Sequence, residues 1–288
     1  MRNPQAKIAV IGGSGLYEIN GLTNIHEVNP DTPFGKPSDV IVIGTLDGVR
    51  VAFLPRHGRG HRIPPGEIPF RANICALKMM GVEHIIAINS VGSFKEEIAP
   101  GHLLIPDQFI DKTTQRVNTF FGDGVAAHIQ FADPVCPDLV GLLYTAAQEA
   151  GAQVHPKGTY VVMEGPAFST RAESHLHRSW GADVIGMTAL PEAKLAREAE
   201  ICYAVIACVT DYDAWHETIE AVSVDMILAV MRGNIDLAKR IIKLTVGRFD
   251  GERKCVCADA LRTAIITDPG IIPAARRAEL APIIGRYV

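Results

Sequence analysis

Asp211 and Asp213 stand in the segment Thr210-Asp211-Tyr212-Asp213-Ala214-Trp215, directly after the apolar run Ile201–Val209. Such a run reads as a buried strand. Acids at the C-terminal end of a strand in an α/β protein lie where these folds open their ligand crevice. Carboxylates two apart can ligate a metal ion, or they can form a pair in which one member keeps a proton to donate. No third ligand clusters with them in the sequence. The acid pair is therefore the reading, with no metal in the site.

Several further turns carry groups suited to an anion. Ile8-Ala9-Val10-Ile11-Gly12-Gly13-Ser14-Gly15 is a strand ending in a glycine-rich turn whose backbone N–H groups, with the Ser14 hydroxyl, suit phosphate. A dinucleotide fingerprint fails, because Glu18 stands where its third glycine would fall. Pro55-Arg56-His57-Gly58-Arg59-Gly60-His61-Arg62 concentrates positive charge after another strand, and Arg56 suits bidentate contact with phosphate. Asn89-Ser90-Val91-Gly92 is a third strand end of this kind, with Ser90 offering its hydroxyl. In Met163-Glu164-Gly165-Pro166-Ala167-Phe168-Ser169-Thr170, Phe168 presents a flat apolar face and Ser169 or Thr170 can start a helix. Gly186-Met187-Thr188 adds a soft apolar side chain and a hydroxyl, and Pro191 reads as the first residue of the next helix.

The elements that must position these groups alternate between strand and helix patterns, which predicts an α/β fold with a central mixed, twisted and partly barrel-like sheet flanked by helices. Strands are predicted at Lys7–Ile11, Val40–Gly44, Val51–Leu54, His84–Ile88, Leu103–Ile105, Thr159–Met163, Val184–Met187 and Ile201–Val209. Helices are predicted at Pro69–Met80, Pro137–Ala150, Arg171–Trp180, Leu190–Ala199 and Val222–Leu244, the last with Ser223 as N-cap. No linker or repeat interrupts the pattern, so the 288 residues read as one domain, with its core over about 7–245 and an extension over 246–288. A net charge of −4 gives no reason to expect nucleic acid, and no apolar run is long enough for a membrane span. A cytoplasmic enzyme is the expectation.

Six cysteines in a chain of this length are not a secreted disulfide framework. Cys75, Cys202 and Cys208 fall in apolar patterns and read as small core residues. Cys255-Val256-Cys257 is a C-x-C, whereas structural zinc sites usually show C-x2-4-C with a second ligand pair at matching spacing, and no such pair is visible. A disulfide, Cys255 with Cys257 or Cys136 with Cys202, is the alternative to free thiols, decided by compartment as much as by spacing.

Gly12-Gly13-Ser14-Gly15, Arg56-His57-Gly58, Met163-Glu164-Gly165-Pro166, Gly186-Met187-Thr188 and Thr210-Asp211-Tyr212-Asp213 occur in the order and spacing that characterise the nucleoside phosphorylases. Over roughly Ile8 to Leu244 the chain resembles that family, most closely the trimeric branch acting on 5′-methylthioadenosine. The resemblance implies the family's fold and phosphorolysis of S-methyl-5′-thioadenosine to adenine and 5-methylthioribose 1-phosphate, a pentosyl transfer in purine and methionine salvage. Inorganic phosphate is then a co-substrate, and no cofactor is needed. Ser14, Arg56, His57, Ser90, Thr188 and the backbone at Val91 would hold phosphate. Met187 would pack on the ribose, Phe168 would cover the purine, and Asp211 and Asp213 would meet its edge. Asp211 would donate to N7, its proton held by crowding beside Asp213 in a dry pocket.

Within the family, Ser169 stands where the enzymes for 6-oxopurines carry glutamate, and Asp211 where they carry asparagine. An aspartate can accept from a 6-amino group, which favours adenine. Val224 replaces a histidine that would meet a 5′-hydroxyl, and Leu228 follows one turn later, which suits a methylthio group. His128 aligns with a histidine that closes the 5′ pocket of a neighbouring subunit, implying a trimer or a dimer of trimers. Ser14 replaces the branch's common threonine, and Gly186 an asparagine found in some relatives. A broad-specificity or 6-oxopurine phosphorylase is the alternative within the family. A non-catalytic purine-binding module is the alternative from another class.

Overall fold

The computed structural model describes residues 5–13, 15–16, 18–216, 224–249 and 253–288, with 224–229 and 231–232 described by their backbone alone. Ser14 and Ser223 lie outside the described residues, as do the side chains of Val224 and Leu228. The strands are β1 (Ile8–Gly12), β2 (Thr23–Val28), β3 (Ile41–Leu46), β4 (Val49–Pro55), β5 (His84–Ser93), β6 (Leu103–Leu104), β7 (Gln108–Lys112), β8 (Val154–His155), β9 (Thr159–Met163), β10 (Val184–Gly186) and β11 (Cys202–Tyr212). The helices are α1 (Phe70–Met79), α2 (Pro137–Glu149), α3 (Arg171–Ser179), α4 (Glu192–Glu198), α5 (Val224–Gly247), α6 (Ala274–Glu279) and α7 (Ala281–Ile284).

The eleven strands among the described residues join one mixed sheet, whose main path runs β2-β3-β4-β1-β5-β10-β9-β7. β5 is the hub. β11 pairs with it in parallel along its whole length, while β1 takes the first half of its other edge and antiparallel β10 the last two residues. The sheet therefore forks at the end of β5. β4, β1, β5 and β11 are mutually parallel, so their C-terminal ends gather beside that fork.

The side chains of β11 alternate strictly between two cores. Tyr203, Val205, Ala207 and Val209 pack with residues of α1, α4 and α7; Cys202, Ala204, Ile206 and Cys208 pack with α2 and α5. A strand covered on both faces has no polar side, which is why it reads as an unbroken apolar run. β2 and β7 are not predicted from the sequence. They form the two ends of the main path and carry TNIHEV and QFIDK, mostly exposed or half-buried. Edge strands with no fully buried position on either face lose the apolar signal. Helix α4 begins at Glu192, so Pro191 occupies the N-cap rather than the first helical position. Among the described residues no helix is long and apolar enough to cross a membrane.

The C-terminal segment is part of the body. Leu261, Ala264, Ile272, Leu280, Ile283 and Ile284 join the core that holds α1 and α4. Cys136, Cys202, Cys255 and Cys257 also converge, each offering a sulfur within 4.8 Å of the others. The fold thus corrects the sequence reading of the C-x-C: a second cysteine pair does face it, drawn from two distant segments.

Candidate active site

A cavity of about 520 Å³ opens at the fork of the sheet. That is ample for a small-molecule ligand. Its walls come from the C-terminal ends of β4, β5, β9, β10 and β11 and from Gly13 after β1. The sequence-predicted residues Arg56, His57, Ser90, Val91, Phe168, Met187, Thr188, Asp211 and Asp213 all line it. Ser169 does not: its hydroxyl faces Met163 Sδ at 3.9 Å and bears on Asp213 instead. His128 is an exposed residue away from the cavity, its N–H bonded to the Ala264 carbonyl at 2.9 Å.

The acid pair is aimed by an irregularity in β11. Against β5, Val209 pairs with Val91 and Asp211 with Gly92, leaving Thr210 as an extra residue. A bulge of this kind turns the side chains that follow it. Gly92 makes the room, since a Cβ there would lie 2.9 Å from Asp211 Oδ1 and 3.4 Å from the Asp213 Cβ. Beyond the bulge, the Asp213 N–H and the Trp215 indole N–H both donate to the Ser93 carbonyl, at 3.0 and 2.7 Å.

Burial pushes the Asp211 carboxyl up to about 6; the Thr210 hydroxyl bonded to it opposes this, and the charge of Asp213 adds to it. Removal from water, not crowding beside Asp213, is the main cause. Asp213 is raised for the same reason, and its buried Oδ2 has no hydrogen-bond partner among the described residues. The Thr210 hydroxyl lies 2.7 Å from Asp211 Oδ2 and 3.2 Å from the Val91 carbonyl oxygen. Asp211 Oδ1 has no hydrogen bond among the described residues and is the oxygen left to carry a proton into the cavity.

Arg56, which also lines the cavity, is buried but heavily engaged. Its Nε and Nη2 donate to the two oxygens of Glu192 at 2.8 and 2.9 Å, Nη2 also to Asn89 Oδ1 at 3.1 Å, and Nη1 to the Ile88 carbonyl at 3.2 Å. A guanidinium has five N–H donors. The fork expected to grip phosphate is thus taken up by Glu192, which leaves one Nη1 hydrogen for the cavity. Tyr203 donates to the same carboxylate at 2.9 Å. Burial alone would lower the basicity of Arg56, but the Glu192 charge and hydrogen bonds leave it raised overall.

His57 is likewise constrained. Its Nδ1 lies 2.8 Å from the Ile63 carbonyl oxygen, which can only accept, so Nδ1 carries the hydrogen. Burial brings its pKa down to about 4, the bond to Ile63 opposing and Arg56 adding. The ring is therefore neutral near pH 7, with Nε2 as an acceptor rather than a cation for phosphate.

The apolar wall is held by a residue with no motif of its own. Arg116 donates to the carbonyls of Met187, Leu190, Met163 and Glu164 and to the Glu164 carboxylate, bracing the loop after β9 against the loop after β10. Glu164 also accepts from the backbone of Thr114 and Gln115, so this motif residue is an internal brace. Gly186 is required by Tyr160, whose hydroxyl would lie 2.2 Å from a Cβ there. Phe168 stands at the rim, 57 % exposed.

Sequence reasoning missed Glu192, Asn89, Arg116 and Gly92. Only Glu192 carried a local signal, as the one charged residue in Ala189-Leu190-Pro191-Glu192-Ala193.

Residues 7–246 match the family model described as the phosphorylase superfamily. The S-methyl-5′-thioadenosine phosphorylase of Geobacter sulfurreducens is 63 % identical over 282 residues, 98 % of this chain and 99 % of the relative. That of Koribacter versatilis is 54 % identical over 98 % of this chain and 97 % of its own. A crystal structure of a methylthioadenosine phosphorylase from an antarctic soil metagenomic library superposes with a TM-score of 0.94 at 50 % identity, covering 98 % of this chain and 99 % of that one. A point mutant of the adenosine/methylthioadenosine phosphorylase of Schistosoma mansoni, solved in complex with adenine, gives 0.82 at 35 % identity over 97 and 98 %.

Proposed function

This chain belongs to the phosphorylase superfamily, and we propose that it is a pentosyltransferase cleaving S-methyl-5′-thioadenosine with phosphate to give adenine and 5-methylthioribose 1-phosphate. The observation that carries the reading is the convergence, in one cavity, of hydroxyl and N–H donors and a protonatable, half-buried carboxyl. Relatives bearing that name at more than half identity supply the substrate.

Phosphate sits against the Ser90 and Thr188 hydroxyls, the backbone at Val91 and the remaining Nη1 hydrogen of Arg56. His57 Nε2 accepts from a phosphate hydroxyl and so turns an anionic oxygen toward the sugar. The nucleoside lies between Met187 and Phe168, its purine against Asp211 and Asp213. Phosphate attacks the anomeric carbon as the bond to N9 breaks, through an oxocarbenium-like state of the kind glycosidases stabilise. The electrons of the broken bond pass to the purine, and Asp211 donates its proton to N7 so that neutral adenine leaves. With a pKa of about 6, roughly a tenth of Asp211 is protonated at pH 7, and a bound purine that excludes water raises that share. Acid help of this kind is worth ~10²–10⁴-fold. Fixed donors around the nucleophile add orientation at no reorganisation cost.

No cofactor enters this scheme, and inorganic phosphate is the co-substrate. Ser14 belongs with the phosphate donors, and Val224 and Leu228 with the methylthio pocket, by their positions in the family pattern. His128 acts across a subunit boundary in a trimer or a dimer of trimers; its exposed place on a loop tied to Ala264 supports this. A cytoplasmic location, where thiols stay reduced, is part of this proposal.

Incubation with 5′-methylthioadenosine, adenosine and inosine, each with and without phosphate, tests the reading by quantifying free base. Adenine release from methylthioadenosine only with phosphate is expected. Release without phosphate would make the enzyme a hydrolase, and equal turnover of inosine would remove the discrimination assigned to Ser169 and Asp211.

A further inference from the structure

The four-cysteine cluster lies outside the reaction. Cys202 opens β11 and Asp211 stands nine residues later near its end, a separation of roughly 30 Å at ~3.3 Å per residue. Cys136 is the N-cap of α2, Cys255 the N-cap of a 3₁₀ turn over Val256–Asp259, and Cys257 lies within that turn. Extended backbone at Cys255 followed by the tight turn brings both sulfurs of the C-x-C to one side. Cys136, Cys202 and Cys257 are buried and Cys255 half-buried. Backbone contacts fix the frame: the Cys136 N–H donates to the Tyr203 carbonyl at 2.8 Å and the Cys202 N–H to that of Glu83 at 2.9 Å.

The arrangement is four-way. All four sulfurs lie within 4.8 Å of one another, and the Cys202 and Cys255 sulfurs approach to 3.3 Å as free thiols. A metal with four sulfurs at ~2.3 Å in a tetrahedron sets every sulfur–sulfur distance near ~3.8 Å. Two disulfides would instead need two close pairs with no requirement that the pairs meet. We propose that Cys136, Cys202, Cys255 and Cys257 bind one soft divalent metal ion, zinc in the first instance, as a closed structural tetrathiolate site. Binding releases four protons, leaves a net charge of −2 at the site and changes no oxidation state. The basic residues Arg253 and Lys254 precede the C-x-C. With Cys255 they line a separate cavity of about 500 Å³, which gives the ion a way in.

The site would pin the C-terminal segment to β11 and α2. Downstream, that segment pairs Ile265 with Ala127 and accepts the His128 N–H at Ala264. The cluster therefore anchors the segment that braces the His128 loop, by a route independent of the active-site reading.

The test uses full-length protein, reduced, equilibrated with zinc sulfate and freed of excess metal by gel filtration. Elemental analysis should find about one zinc per protomer, and stepwise mercurial titration should release it as four thiols react. Cobalt(II) in place of zinc should show thiolate-to-metal charge-transfer absorption. Cys257→Ser and Cys136→Ser should lose the stoichiometric metal, while Cys75→Ser keeps it. Should the serine variants fail to fold, the titration and the cobalt spectrum on the unmodified protein decide. Protein without bound metal after this loading overturns the proposal, whether its thiols are free or its mass shows them joined in disulfides.

Discussion

Asp211→Asn should make this protein more stable and less active, and the gain in stability should depend on pH. In the folded protein burial holds the Asp211 carboxyl near 6, against an ordinary 3.8. Below pH 3.8 both folded and unfolded chains carry the proton, and the residue costs nothing. As pH rises toward 6 the unfolded chain ionises while the folded one keeps its proton, so stability is lost across that window. Above it the folded chain carries an uncomfortable charge. The gap between 3.8 and about 6, at ~1.4 kcal/mol per pH unit, is about 3 kcal/mol at full ionisation. Asparagine keeps the shape and an oxygen for the Thr210 hydroxyl but cannot ionise. Urea unfolding of the two proteins, compared at pH 4 and pH 8, should show curves that nearly coincide at the first and differ by up to about 3 kcal/mol in favour of the variant at the second. Adenine release should fall by ~10²–10⁴-fold over the same range. A variant less stable at pH 8, or a difference that ignores pH, would refute the assignment of a half-buried, proton-holding Asp211.

Gly92→Ala places a methyl carbon 2.9 Å from Asp211 Oδ1 and displaces the acid; kcat should drop by about 10² while phosphate KM holds, and equal losses in both would contradict a local effect. Glu192→Gln leaves the Arg56 charge buried with half its partner gone; destabilisation of ~3–5 kcal/mol is expected from urea titration, with a raised phosphate KM, and an unaffected midpoint would show the pair to be dispensable.

Much of the site was legible because catalytic side chains follow strand ends, and strand ends are marked by apolar runs stopping at small polar residues. Asp211, Ser90 and Arg56 all announced themselves this way. What escaped were groups whose role is to hold other groups. Arg116 touches the carbonyls of residues more than forty positions away, and no local pattern foretells such a brace. Glu192 turned the expected phosphate grip of Arg56 inward because the two meet only after α4 docks against β11 and α1. Edge strands β2 and β7 were missed for the converse reason: with neither face fully buried, their composition is that of a loop. The C-x-C was misjudged by demanding that its partners be close in sequence, when β11 and the start of α2 deliver them in space.

The bulge at Thr210 has a consequence for how charge moves in the reaction. When Asp211 gives up its proton, a carboxylate appears in a place with little water to receive it. The Thr210 hydroxyl stands between two acceptors, Asp211 Oδ2 at 2.7 Å and the Val91 carbonyl at 3.2 Å. With the shorter contact to the carboxyl, it is already in place to donate as that charge is born. One hydroxyl held in advance thus does what a shell of rearranging solvent would do in water. The residue that breaks the register of the strand is in this sense the acid's private solvent molecule.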